Sequence, residues 1–328
     1  MFSGLKKLFC ALILISTTPT IAMDYPSTSE SSSGNVQRKY TLKFSTAPHN
    51  HPLLKYENSH NRIVLPVEVD MRPECPPVYD QLNIGSCASQ ACGAAAAYIL
   101  KNQPSSIKFT PSALFLYYNT RVKEESVDLD SGTTIEGVVW SLAKHGVAPE
   151  ADMPYIDDKI AFRMPPSKIA YANALQYMNL DNLSLSRVSQ DAYTIKSILA
   201  NRIPIICGLQ IYSSFESLQV MSTGIIPIPN TKIEKYLGGH AVMLTGYNTS
   251  KGVFYGRNSW GIHWGQSGYF EIPESFILNS KLADDFWKIE KIGPKSSDVK
   301  SRISSLPEKS SFIFGNDDLD EDNLDKSI

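Results

Sequence analysis

A thiol, an imidazole and a carboxamide stand far apart in this sequence. They suffice for acyl transfer if a fold brings them together. Cys87 is the candidate nucleophile. A thiol attacks a carbonyl carbon as the thiolate, and a helix N-terminus or a nearby imidazolium lowers its pKa. Cys87 follows the turn residues Asn83-Ile84-Gly85 and opens the alanine-rich run Ala88 to Leu100. It is therefore predicted at the N-terminus of a buried helix. Position alone does not separate a nucleophile from a buried structural cysteine.

The chemistry also needs a base, and six histidines are available. His49, His51 and His60 lie in a polar N-terminal stretch. His145 ends a predicted helix, where a cation suits the helix dipole. His263 falls in a loop. His240 differs, because Gly238-Gly239 precede it and the apolar run Ala241-Val242-Met243-Leu244 follows. That places it at a strand start with little bulk before it, open to a substrate. Asn258 lies in Arg257-Asn258-Ser259-Trp260-Gly261. Its amide oxygen can accept the second ring N–H of a histidine and hold one tautomer, while Trp260 shields that bond from water. Read singly, His240 could equally be a core histidine, and the Trp-Gly stretch a packing turn.

The elements that must position these residues fall into two halves. Asp128-Leu129-Asp130-Ser131-Gly132 reads as a loop, and Thr134 to His145 as a helix closed by Gly146. Ile195 to Asn201 suggests a short helix. Strand-like runs follow at Pro204 to Tyr212, Ala241 to Tyr247, Val253 to Asn258 and Gly268 to Ile272. A helical first half and a β-rich second half predict an α+β protein of two lobes.

The ends read differently. Lys6 and Lys7, the apolar run Leu8 to Ile15 and the small residues at Thr20-Ile21-Ala22 predict a signal peptide over 1–22. The expected location is secreted or periplasmic, with no stable membrane insertion after cleavage. Residues 23–65 include the serine-rich run Ser27 to Gly34, and Tyr40 to Ile63 shows no clear periodicity. This stretch is read as a linker or short pro-segment that lies in or near a cleft as a candidate autoinhibitor. The globular domain is expected over 66–292 and a disordered acidic tail over 293–328. Net charge is −2 over 328 residues, so no basic excess points to nucleic acid. The cysteines and histidines have no zinc-ligand spacing, and no metal or other cofactor is expected.

Taken together, the motifs resemble those of the papain family of cysteine peptidases. Asp80-Gln81 before Ile84-Gly85-Ser86-Cys87, then Gly239-His240-Ala241-Val242, then Asn258-Ser259-Trp260-Gly261 with Trp264-Gly265 and Gly268-Tyr269, follow the family's order. His240 follows Cys87 by 153 positions, slightly beyond the family's spacing of about 130–150. The resemblance runs from about Val69 to Ile292. Asp70-Met71-Arg72-Pro73, Pro76-Pro77-Val78-Tyr79-Asp80-Gln81 and Ala283-Asp284-Asp285-Phe286-Trp287 look most like the bacterial xylellain-like branch.

The resemblance implies a two-lobed fold, with a helical left lobe, a β-barrel-like right lobe and the cleft between them. It implies that Gln81 and the Cys87 backbone N–H form an oxyanion hole. Gly132 and Thr133 would bind extended peptide backbone, and Ile135, Gly208 and Ala241 would line the main specificity pocket. Three departures stand out. Ala88 replaces the usual aromatic, and Ile84 and Asp130 replace the two cysteines of a family disulfide. The resulting reading is a cysteine endopeptidase that cleaves protein or peptide substrates through a thioester. A transpeptidase or ligase using the same site, and a peptide-binding pseudo-peptidase, are the alternatives.

Overall fold

Small residues let the central helix be buried on every side. The computed structural model describes residues 38–45, 64–102, 108–158, 160–177 and 184–292. In it, helix α1 (Cys87–Asn102) is buried from Cys87 to Leu100. Its alanines offer little bulk, so neighbouring elements approach closely on all faces. Helix α2 (Ala113–Lys123) packs on α1 and on α3 (Ile135–His145). Ser112 caps α2 by accepting the Phe115 N–H at 3.1 Å. Thr134 caps α3 by accepting the Gly137 N–H at 2.8 Å. Gly146, at φ 80°, ends α3 in a backbone geometry that few other residues adopt. Helix α4 (Lys168–Tyr177) completes the helical half.

The second half is an antiparallel sheet. Strands β3 (Ile205–Tyr212), β4 (Tyr236–Asn248), β5 (Val253–Arg257) and β6 (Tyr269–Pro273) pair in that order. Strand β7 (Ala283–Lys291) pairs with β3, and β2 (Ser184–Arg187) with β7. Strand β1 (Glu68–Asp70) pairs with the far end of β4. Short helices α5 (Ala192–Ala200), α6 (Leu218–Thr223) and α7 (Glu274–Ile277) fill the connections. The expected α+β fold is therefore present, with helices first and the sheet after them. The sheet runs from β2 to β6 as its outer strands.

Helix α1 packs across β4. This brings the start of the helix to the middle of the longest strand. His240 was expected at a strand start, but it lies inside β4, opposite Leu209 of β3. The ladder with β3 continues through Gly239 and Gly238, so the glycines do not end the strand. The side chain is held in a rigid element instead of a loop, as a positioned catalytic group requires.

Residues 38–45 form a strap across the two halves. Thr41 bridges to Gly239 of β4, and Lys43 bridges to Thr134 at the start of α3. The Leu42 N–H donates to the Gly239 carbonyl at 3.0 Å, and the Lys43 N–H to the Thr133 carbonyl at 3.1 Å. The absence of periodicity read over this stretch needs correction. Tyr40, Leu42 and Phe44 alternate with polar residues, the pattern of an extended strand. The other residues of 23–63, the signal-peptide stretch and the acidic tail lie outside the described residues.

Candidate active site

The start of α1 brings backbone N–H groups to the Cys87 sulfur. Those of Ala88 and of Cys87 itself hydrogen-bond it, as does that of Ala241 in β4. Ala241 follows His240 in β4, so the sulfur lies against the strand one residue beyond the imidazole. On the far side of the ring, His240 Nε2 lies 2.8 Å from Asn258 Oδ1. Because the amide oxygen can only accept, Nε2 carries the proton in this contact. Nδ1 is buried without a hydrogen-bond partner, and it is the nitrogen left for a thiol proton. The Trp260 ring tilts over His240 with centroids 5.2 Å apart, and Phe215 packs edge-on against both rings. His240 and Asn258 are buried, so water is kept from their bond.

Gln81 is buried beside this group. Its Nε2 donates to the Ile84 carbonyl at 3.1 Å, and its Oε1 accepts the Ser259 hydroxyl at 2.7 Å. The amide is thus fixed from both ends, and a primary amide has a second N–H to offer. Ser259 was part of the sequence motif but had no role there. Tyr155 was missed altogether. Its hydroxyl donates to the Gln81 carbonyl at 2.7 Å and lies 2.7 Å from Ser86 Oγ. Both bonds stiffen the turn that carries Cys87. A lone tyrosine in an irregular stretch gives no sequence signal for this.

The electrostatics differ from the simple expectation. A helix N-terminus was expected to lower the Cys87 pKa. The backbone N–H groups do act in that direction, but burial outweighs them and pushes the thiol up to about 11. Burial also lowers the His240 pKa to about 4, against the opposing effect of the hydrogen bond that Nε2 donates to Asn258. At neutral pH both groups are therefore uncharged in this arrangement. His145 needs a correction of the same kind. Burial, with Lys144 adding to it, lowers its pKa to about 4, so it is no cation at its helix end.

The strap adds to the cover over the His240 group. The Tyr40 ring meets His240 and Trp260 edge-on, at 6.1 and 5.9 Å. Leu42 is buried, and a Cβ built on Gly208 would lie 2.7 Å from both Leu42 and Phe44. A Cβ on Gly132, where φ is 71°, would collide with the Thr41 carbonyl. Of the expected peptide-binding residues, Gly132, Thr133 and Gly208 thus lie against the strap. Ala241 pairs with Gly208 across the β3–β4 ladder. Ile135 is buried as the first residue of α3. Cys75, Cys92 and Cys207 are buried free thiols, and none forms a disulfide.

Comparison with known proteins gives a consistent result. Residues 65–285 match the family described as papain family cysteine protease. The chain is 35% identical over 225 residues to the uncharacterized peptidase C1-like protein L477 of Acanthamoeba polyphaga mimivirus, covering 67% of this chain and 71% of that protein. Among solved structures it is similar to xylellain, a cysteine protease from Xylella fastidiosa. That match has 35% identity and a TM-score of 0.68, and it covers 79% of this chain and 99% of xylellain. Digestive procathepsin L 3 of Tenebrio molitor shares the fold at 18% identity and a TM-score of 0.57, covering 72% of this chain and 73% of that one.

Proposed function

This chain belongs to the papain family of cysteine proteases, and from that premise we propose that Cys87 cleaves peptide bonds with His240 as base, Asn258 as its orienting group and Gln81 as oxyanion donor. The observation that carries the reading is the 2.8 Å bond between His240 Nε2 and Asn258 Oδ1, on the strand whose next residue, Ala241, hydrogen-bonds the Cys87 sulfur through its N–H. Nδ1 takes the thiol proton, and the thiolate adds to the carbonyl carbon. The Gln81 amide and the Cys87 N–H receive the resulting oxyanion. The imidazolium then protonates the leaving amine, and a thioester remains. Water, deprotonated by the neutral imidazole, adds to the thioester carbon, the C–S bond breaks, the imidazolium returns its proton to the Cys87 sulfur, and the acid product is released.

A kinetic split tests these roles. His240→Ala removes the proton acceptor and should leave no measurable hydrolysis. Asn258→Ala removes only its orientation and should retain partial activity. Gln81→Ala should lower kcat by about 10²–10³-fold with little change in KM, because its bond strengthens in the transition state. Equal losses for His240→Ala and Asn258→Ala would remove the orienting role from Asn258. A Gln81→Ala chain with normal kcat and raised KM would assign that residue to substrate binding.

We further propose that the protein is exported and that its N-terminal segment restrains it. The basic and apolar pattern of residues 1–22 supports export. Mass measurement of the protein recovered outside the cytoplasm should give a chain beginning near Met23, and a chain retaining Met1 would contradict this. The strap at 38–45 supports restraint, because it covers the group that must meet a substrate.

A further inference from the structure

One carboxylate in the cleft is held for a cation. Asp130 is only 12% exposed. Its Oδ1 accepts the Gly85 N–H at 2.9 Å and the Tyr117 hydroxyl at 2.6 Å. Burial raises the Tyr117 pKa, so that hydroxyl stays a donor. It also accepts the Gly132 N–H at 3.3 Å. The carboxylate is therefore tied on one side to the turn two residues before Cys87, and on the other to the glycine beneath the Thr41 carbonyl. The remaining oxygen, Oδ2, is taken by the Lys39 ammonium of the strap. With the strap withdrawn, Oδ2 would lose its cation while Oδ1 stays tied to Gly85 and Tyr117, which leaves a positioned negative charge for another cation.

The rest of the strap repeats the pattern more weakly. Arg38 pairs with Asp80 at 2.6 Å, and Lys43 with Glu124 at 3.4 Å. The Lys43 side chain is 43% exposed and that of Lys39 41%, so the two pairs differ in the length of the contact and in the carboxylate, not in the exposure of the lysine. Asp130 is the least exposed of the three carboxylates and the one fixed from two sides. The other well-defined subsite is apolar, formed where Leu42 and Phe44 cover Gly208.

We propose that Asp130 is a specificity-determining residue, selecting peptides that carry a lysine or arginine beside Gly85 and Gly132. The proposal rests on the reading of the chain as a peptidase with the strap in its substrate cleft. It concerns a position where the resemblance to the papain family fails, since Asp130 stands in place of a disulfide cysteine. A second observation supports it. Burial dominates the raised Cys87 pKa, but the Asp130 charge adds to it. A substrate cation on Asp130 would therefore also ease formation of the thiolate.

The test uses the full chain with Leu42→Asp to displace the strap. Internally quenched peptides with one fixed leucine are scanned at neighbouring positions with lysine, acetyl-lysine, arginine, glutamine and glutamate. At one position, lysine and arginine should exceed glutamine and acetyl-lysine by about tenfold or more in kcat/KM. Asp130→Asn keeps an oxygen for Gly85 and Tyr117 but loses the charge, so it should shrink that ratio to about twofold. Acetyl-lysine keeps the stem and loses the charge, which separates charge from length without any change to the enzyme. Peptides cleaved equally well with lysine and acetyl-lysine would overturn the proposal and leave the peptidase reading intact. So would a preference that survives Asp130→Asn. No cleavage of any peptide, with Cys87 accessible to alkylation, would remove the peptidase reading and this proposal with it.

Discussion

A Cys87→Ala chain is expected to fold and to hydrolyse no peptide at a measurable rate. The substitution removes one sulfur atom from a helix made largely of alanine, and alanine is the best helix former. The stability change should therefore stay within about 1–2 kcal/mol. The chemical loss is far larger. Without the thiolate no thioester forms, and the oxyanion donors and the bound substrate geometry are all that remain. Such remnants typically keep only about 10³–10⁴-fold over the uncatalysed rate, far below a working enzyme. The comparison that makes this specific is with Cys92→Ala and Cys207→Ala. Both thiols are buried, and burial raises the pKa of each. Neither adjoins the His240–Asn258 pair as Cys87 does through Ala241, so both variants should keep their activity. Circular dichroism would establish folding, and a fluorogenic peptide would report turnover. A folded Cys87→Ala chain with substantial turnover would sink the assignment.

How far the site could be read in advance depended on which forces held each part. The nucleophile helix was legible because six alanines between Ala88 and Ala97 leave few alternatives. The core of β4 was legible as an apolar run, but its first five residues were not. Gly238 and Gly239 are poor strand residues, and what holds them extended is pairing with β3 on one side and the strap on the other. Helix α2 was not assigned from the sequence, because Leu114, Phe115, Leu116, Tyr117 and Tyr118 in succession show no one-faced helical period. It is a helix because Ser112 caps it and because α1 and α3 bury it nearly all round. Strand β7 was hidden by Asp284 and Asp285. Asp285 is buried at φ 60°, where it accepts the Trp287 indole N–H at 2.6 Å, so a charged residue serves a core tryptophan. Motif order singled out Cys87, His240, Asn258 and Gln81 as candidates. Their supports, Ser259, Tyr155 and Asp130, depend on contacts across long stretches of chain, and no local pattern announces those.

Displacing the strap should raise activity by about 30-fold. Leu42 is the side chain to change, since it is buried over Gly208 while its N–H binds Gly239. Full burial of a leucine is worth about 2 kcal/mol, and Leu42→Asp adds the cost of a carboxylate in an apolar site. Loss of the first contribution alone corresponds to about a 30-fold shift toward the open form. The apparent kcat/KM should rise in proportion, until the open form predominates. Ionisation provides an independent reading. Under the strap, burial holds the thiol near 11 and the imidazole near 4. A raised thiol pKa leaves little thiolate at pH 7, so alkylation of the wild-type chain should be slow there and climb as pH approaches 11. In the Leu42→Asp chain water reaches both groups, the penalty on their charged forms falls, and fast alkylation should begin at a lower pH. Lys43→Ala offers a control, because its ion pair with Glu124 is exposed and long. It should raise activity far less than Leu42→Asp. A Leu42→Asp chain that folds, yet matches wild type in both kcat/KM and the pH profile of alkylation, would show that the strap is no barrier to substrate.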